Sequence, residues 1–281
     1  MGSRQSVTEA VAEITGLEPV AVHGLSTSVW EVELADGDLV VVKRTDGAEA
    51  EAAGLAWLAE SGTVPVPGVR GHDSRWLVIE QIEPGHASSE AAERFGRQLA
   101  ALHSSGANAF GEAPPGAPAE GTIGSAAMDY ASEASWPRWY AEHRIAPYLA
   151  RATALTSAEK AVIEQVRDRI EELAGPAEPP ARLHGDLWSG NVHWAAGGRV
   201  WLIDPAAHGG HRETDLAMLH LFGCPHLDRV LLGYVAESPL ADGWQRRIPL
   251  HQLFPLLVHV ELFGRTYAHQ AVTAARQALR L

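Results

Sequence analysis

His184-Gly185-Asp186-Leu187-Trp188-Ser189-Gly190-Asn191, with Asp204-Pro205-Ala206 beginning thirteen residues after Asn191, is the stretch whose reading decides the fold. Between the two segments lie β-prone runs, Val192-His193-Trp194 and Val200-Trp201-Leu202-Ile203, and Gly197-Gly198 offers the positive φ angles that a two-residue turn requires. A turn centred on that pair sets Trp194 against Trp201, Val192 against Ile203 and Asn191 against Asp204. Opposed Cβ atoms on one face lie roughly 4.5–5.5 Å apart, so an amide oxygen and a carboxylate would stand side by side at the open end. Two hard oxygen donors suit Mg²⁺, which is commonly held by one or two carboxylates together with phosphate oxygens. Asp186 precedes Asn191 by five residues, the spacing of a phosphoryl-transfer loop in which an Asp takes the acceptor's hydroxyl proton and an Asn holds metal.

Working toward the N-terminus, Val29 to Leu34 alternates in period two, and Leu39 to Val42 follows Asp36-Gly37, which reads as a hairpin with Lys43 ending its second strand. Ala48 to about Ala59 is helical, with Leu55 and Leu58 on one side, and Ser61-Gly62 stops it. Trp76 to Ile79 is a further strand. Lys43 at a strand end and Glu51 on the next helix are the pair needed to clamp and orient the α and β phosphates. Glu83-Pro84-Gly85 closes this sheet-based lobe, placing a boundary near residue 84.

Beyond it the pattern turns helical: Ala92, Phe95, Leu99 and Leu102 share a face, as do Val162, Val166, Ile170 and Leu173. Thr156 with Glu159 forms a capping box. Residues 104–125 and 174–182 read as connections rich in chain-breaking residues, and Pro255 and Gly264 are expected to break or bend the helical C-terminal segment.

Together these segments resemble the fructosamine kinase (ketosamine 3-kinase) family, relatives of aminoglycoside phosphotransferases and choline kinases. The resemblance lies in His184 to Asn191, in Asp204-Pro205-Ala206 and in Gly210-His211-Arg212-Glu213-Thr214-Asp215-Leu216-Ala217-Met218. It is weaker in Thr122-Ile123-Gly124, Trp139-Tyr140, Arg144 and His259 to Gly264. It implies an α+β, bilobal, protein-kinase-like fold: a small antiparallel-sheet lobe over residues 1–84 that binds nucleotide, and a mainly helical lobe over 85–281 that carries catalysis and substrate. By this resemblance Asp186 is the catalytic base, Asn191 and Asp204 ligate Mg²⁺, and Lys43 with Glu51 forms the phosphate clamp. Glu80 to Ile82 would be the adenine hinge, Ser26, Thr27 and Ser28 the phosphate-covering turn, and Trp188, with His184, His211 and Glu213, the sugar side. ATP, Mg²⁺ and a small ketoamine of fructosamine or ribulosamine type, phosphorylated on its third hydroxyl, are the implied partners. Three departures stand out. The turn from His23 to Ser28 has a single glycine, Met128-Asp129 stands where amide side chains are expected, and His208 replaces an aromatic residue.

Composition narrows the class. The 281 residues carry a net charge of −13, which repels phosphate backbones and excludes general nucleic-acid binding. With 46% hydrophobic and 20% charged residues, the chain has the make-up of a folded protein. A lone cysteine, Cys224, rules out an internal disulfide or multi-cysteine metal site and fits a reducing cytoplasm. No membrane span or secretory signal is visible. Met1 to Ser6 matches the loose N-myristoylation pattern, though an ordinary terminus is the simpler reading. A monomer or homodimer is expected. Asp215 is expected to tie down a helix end or the catalytic loop, Trp194 and Trp201 to pack in the core, and Cys224 to be a buried thiol. Three alternatives stay open: a phosphotransferase of the same fold acting on aminoglycosides or other small molecules, a two-metal hydrolase built on His184, Asp186, His193, Asp204, His208 and His211, and a nucleotide-binding module without catalysis.

Overall fold

A computed structural model describes residues 2–281, with side chains from Val7 onward; the Met1–Ser6 pattern lies outside the described side chains. Helix α1 (Gly2–Thr15) leads into a five-stranded antiparallel sheet of β1 (Pro19–Gly24), β2 (Val29–Leu34), β3 (Leu39–Arg44), β4 (Val69–His72) and β5 (Trp76–Glu80), ordered β1-β2-β3-β5-β4. Helix α2 (Ala48–Glu60) lies between β3 and β4 in the chain. The period-two pattern sorts the side chains. Val78 joins Val7, Val11, Val32, Val40 and Val42 in one core, while its neighbours Leu77 and Ile79 join Leu55 and Leu58 of α2 in another. That second core continues into Phe95, Leu99, Val192 and Leu202, so the sheet and the rest of the molecule share buried apolar surface.

Helix α3 (Ser89–Ser104) is capped by Ser88, whose hydroxyl accepts from the Ala91 amide. The stretch read as a connection up to residue 125 ends in a strand, β6 (Glu120–Ile123), which forms a small hairpin with β7 (Ala126–Asp129) just beyond it. Next come α4 (Trp136–Trp139), a π-helical turn (Tyr140–Ile145), α5 (Ala146–Arg151), α6 (Ser157–Asp168) with the Thr156–Glu159 capping box formed, and α7 (Ile170–Leu173). Strands β8 (Ala181–Leu183) and β11 (His208–Gly210) pair, and β9 (Val192–Trp194) pairs with β10 (Val200–Leu202). Helices α8 (Glu213–Leu221), α9 (Leu227–Glu237), α10 (Trp244–Phe263) and α11 (Ala268–Ala278) complete the chain. No helix of the described residues is long and apolar enough to cross a membrane.

Pro255 does not break α10, which runs on to Phe263. Pro255 has no N–H for the His251 carbonyl; the Tyr140 hydroxyl sits at that point, 3.4 Å from the His251 carbonyl, donating to the Leu250 carbonyl (2.8 Å) and accepting from the Phe254 amide (3.0 Å). Gly264, at φ 68°, closes the helix as expected. Helices α3 and α9 pack at close range: a Cβ on Gly96 would sit 1.9 Å from the Val230 carbonyl oxygen, so only glycine permits the approach.

Candidate active site

The β9–β10 hairpin forms, but its register is one residue away from the sequence expectation. Trp194 opposes Val200, His193 opposes Trp201 and Val192 opposes Leu202. The turn is a three-residue loop, Ala196-Gly197-Gly198, closed by a bond from the Ala195 amide to the Arg199 carbonyl, with both glycines left-handed. The ladder then sets Asn191 against Ile203, whose amide donates to the Asn191 carbonyl at 3.1 Å. Asp204 leaves the strand through a left-handed conformation, φ 54°, and this bend brings it to the cleft.

Asp186, Asn191 and Asp204 do meet. Asn191 Nδ2 donates to Asp186 Oδ2 (3.2 Å), to the Asp186 carbonyl (2.8 Å) and to the Asp204 carbonyl (3.4 Å). Among the described residues, Asn191 Oδ1 has no hydrogen-bond donor, so that end of the amide is free to bind a cation. Lys43 Nζ lies 2.7 Å from both carboxylate oxygens of Glu51 and 2.7 Å from Asp204 Oδ1. All five side chains line one cleft of about 480 Å³.

The charges show what this cleft is suited to hold. Burial, reinforced by the charge on Asp204, pushes the Asp186 carboxyl up to about 7. Burial likewise lifts Glu51 to about 7 against the pull of Lys43. Burial would lower Lys43, but Glu51 and Asp204 outweigh it and raise the ammonium. Three carboxylates thus face one ammonium, an imbalance that a divalent cation at Asn191 and Asp204 corrects. The donor set, carboxylate and amide oxygen, fits Mg²⁺.

The loop carrying Asp186 is held from beneath. Asp215, fully buried on α8, accepts from the His184 amide (2.8 Å), the Gly185 amide (3.0 Å) and His103 Nε2 (3.2 Å). Gly185 adopts φ 84°, and a Cβ there would fall 2.0 Å from the Ala206 carbonyl oxygen, so the loop passes against the Asp204 segment with no room for a side chain.

Other expected residues lie elsewhere. His184 is buried beneath the loop; its Nε2 donates to the Ile203 carbonyl (2.9 Å), its Nδ1 accepts from the Asp186 amide (3.3 Å), and burial lowers its pKa. That is a neutral support, not a ring facing substrate. His211 and Glu213, expected on the sugar side, are buried and absent from the cleft lining. Glu213 takes two bonds from Arg247 (2.5 and 2.9 Å) and lies 3.2 Å from His251. Glu80 is exposed on a separate hollow with Asp38 and Arg70, Ile82 is half-buried, and neither side chain lines the cleft. Of the covering turn only Ser28 lines the cleft; Ser26 and Thr27 are exposed. Trp188 is in the lining, 39% exposed. The six residues of the hydrolase alternative do not assemble: among the described residues, His211 groups instead with Glu213 and His251. Thr122, His259, Leu262 and Phe263, which line the remaining walls, were marked in the sequence only by the weaker family-like stretches, and Ser125 and Val258 by none.

The fructosamine kinase family model matches residues 40–281. A probable ketoamine kinase of Synechocystis is 37% identical over 240 residues, 83% of this chain and 79% of that protein. The chloroplastic protein-ribulosamine 3-kinase of Arabidopsis thaliana is 29% identical over 83% of this chain and 72% of its own. A crystallised candidate fructosamine-3-kinase from Thermobifida fusca superposes with a TM-score of 0.91 at 50% identity, covering 98% of this chain and 99% of that one. Choline kinase from Streptococcus pneumoniae, at 16% identity and TM-score 0.65 over the whole of this chain and 98% of that one, shares the protein-kinase-like fold.

Proposed function

This chain belongs to the fructosamine kinase family, a family of kinases, and from that premise we propose that it transfers the γ-phosphoryl group of MgATP to the 3-hydroxyl of a ketoamine of fructosamine or ribulosamine type. The observation that carries the reading is the meeting of Asp186, Asn191, Asp204, Lys43 and Glu51 in one cleft. The nucleotide is taken up between the sheet-bearing unit, residues 1–84, and the helical unit, residues 85–281, in the cytoplasm. Lys43, oriented by Glu51, would hold the α and β phosphates. Asn191 Oδ1 and Asp204 would hold Mg²⁺, which when bound supplies positive charge to the phosphate oxygens. Asp186 orients the acceptor hydroxyl and takes its proton as the new O–P bond forms and the bond to ADP breaks. The name of the Arabidopsis relative, a ribulosamine 3-kinase, supports the third hydroxyl as the site of transfer.

The test is ADP release from MgATP over a panel of ketoamines, aminoglycosides and choline, followed by phosphorus NMR of the product. Asp186→Asn is expected to lower turnover by about 10²–10⁴ while MgATP still binds. Unchanged turnover would overturn the role of Asp186, and transfer to aminoglycosides alone would overturn the acceptor.

A further inference from the structure

Two of the few large apolar side chains left open on this surface, Trp188 at 39% and Phe263 at 58% exposure, both face the cleft that holds Asp186. They belong to a continuous aromatic layer. Trp188 meets Phe222 edge-on at 6.0 Å; Phe222 lies 5.0 Å from His259; His259 lies 5.5 Å from Phe263 and 4.8 Å from Tyr267. The His259 ring is fixed by its Nδ1, which donates to the Pro255 carbonyl at 2.7 Å. The opposite wall of the cleft, with Ser28, Lys43, Thr45, Glu51 and Asp204, is polar and charged and suits phosphates.

From this contrast we infer that the Trp188–Phe263 wall is the subsite for the group carried on the ketoamine nitrogen, and that the enzyme selects ketoamines whose amine substituent is aromatic or branched-aliphatic. The inference rests on the kinase reading above. A sugar is ringed with hydroxyls that need several partners, whereas this wall offers only the Trp188 indole N–H and the free His259 ring nitrogen beside its apolar faces; the reacting hydroxyl must in any case reach Asp186. What remains of a ketoamine is its nitrogen substituent. The protonated secondary amine beside it gains from the aromatic faces, and an apolar substituent removes Phe263 from water.

The experiment compares kcat/KM, at saturating MgATP, for the fructose and ribulose ketoamines of phenylalanine, valine and glycine. The wild type is expected to favour the phenylalanine and valine compounds. In Phe263→Ala the phenylalanine-to-glycine ratio is expected to fall roughly three- to tenfold, and Phe263→Leu, which keeps an apolar group, retains more of it. A merely structural role would lower all substrates alike and leave the ratio where it was, which would overturn the inference. So would a wild-type preference for the glycine compounds, or a Phe263→Ala effect confined to the KM for MgATP, which would give the wall to the nucleotide. If no ketoamine is phosphorylated, the kinase reading falls and this subsite with it; if all are phosphorylated without discrimination, only the subsite falls.

Discussion

Replacing Asp215 by Asn probes the support of the catalytic loop with almost no change in shape. In the native fold Oδ2 accepts from the His184 amide and His103 Nε2, and Oδ1 from the Gly185 amide. An amide has one acceptor end only. Its least costly orientation keeps Oδ1 toward His184 and His103 and turns the NH₂ onto the Gly185 N–H, leaving that buried donor unpaired. An orphaned buried donor costs about 1–3 kcal/mol, and the two surviving bonds lose the strength that the ionised acceptor gave them. Together these come to about 3 kcal/mol, or roughly 6–9 °C in Tm at two to three degrees per kcal/mol. Differential scanning calorimetry reads the stability and steady-state kinetics the function; kcat is expected to fall while the KM for MgATP moves little, because the loop bears Asp186 and not Lys43. A Tm within a degree of wild type together with full turnover would refute the claim that Asp215 holds the loop.

Asp204→Ala is expected to abolish the Mg²⁺ dependence of nucleotide binding in calorimetric titration with a non-hydrolysable ATP analogue; tight MgATP-analogue retention would count against Asp204 as a ligand. Gly96→Ala drives a methyl into the Val230 carbonyl, a backbone atom that cannot swing aside, and is expected to lower the urea midpoint by an amount equivalent to about 1–3 kcal/mol or more. Burial alone would raise Glu213, but the His251 ring 3.2 Å away and the two bonds from Arg247 outweigh it and hold the carboxyl at about 2, below its ordinary 4.5. Its contribution is therefore complete above about pH 4.5 and lost as pH falls toward 2; Glu213→Gln is expected to flatten that part of the Tm–pH curve, and an unaltered slope would contradict the assignment. Burial pushes the Cys224 thiol up to about 11, so native protein at pH 7.5 is expected to alkylate slowly with iodoacetamide and rapidly in urea, as mass spectrometry would show.

Where the chemistry depends on spacing along the chain, the sequence was readable. Lys43 and Glu51 are separated by one strand end and the first turn of a helix, and local rules bring them to 2.7 Å. The same holds for Asp186 and Asn191 within one loop. The β9–β10 register was not readable in the same way, because Gly197-Gly198 supplies two left-handed residues equally well to a two- or a three-residue loop. Parity then changed, and a left-handed Asp204 restored the outcome by a different route. His211 and Glu213 look like an exposed polar run; their burial depends on Arg247 and His251, more than thirty residues away, and no local pattern announces such compensation. Pro255 shows the same limit: the helix survives because Tyr140, from another element, lends its hydroxyl. Strands β6 and β7 are four residues each, too short and too poor in large apolar side chains to show an alternating pattern.

The segment joining the sheet to the helices is stitched to the β9–β10 hairpin: Pro84 bridges Ala195, the Gly85 amide donates to the Trp194 carbonyl at 2.7 Å, and the Ala196 amide donates to the Glu83 carbonyl at 3.0 Å. The connecting segment is thus pinned to the turn end of the hairpin by an isolated bridge and two backbone bonds rather than left a free tether. Any rocking of one half over the other must either drag Asn191 and Asp204 along or tear these bonds. A chain loosened at residues 83–85 would uncouple the sheet from the hairpin whose open end carries Asn191 and precedes Asp204, so changes at this distant seam are felt at the cleft.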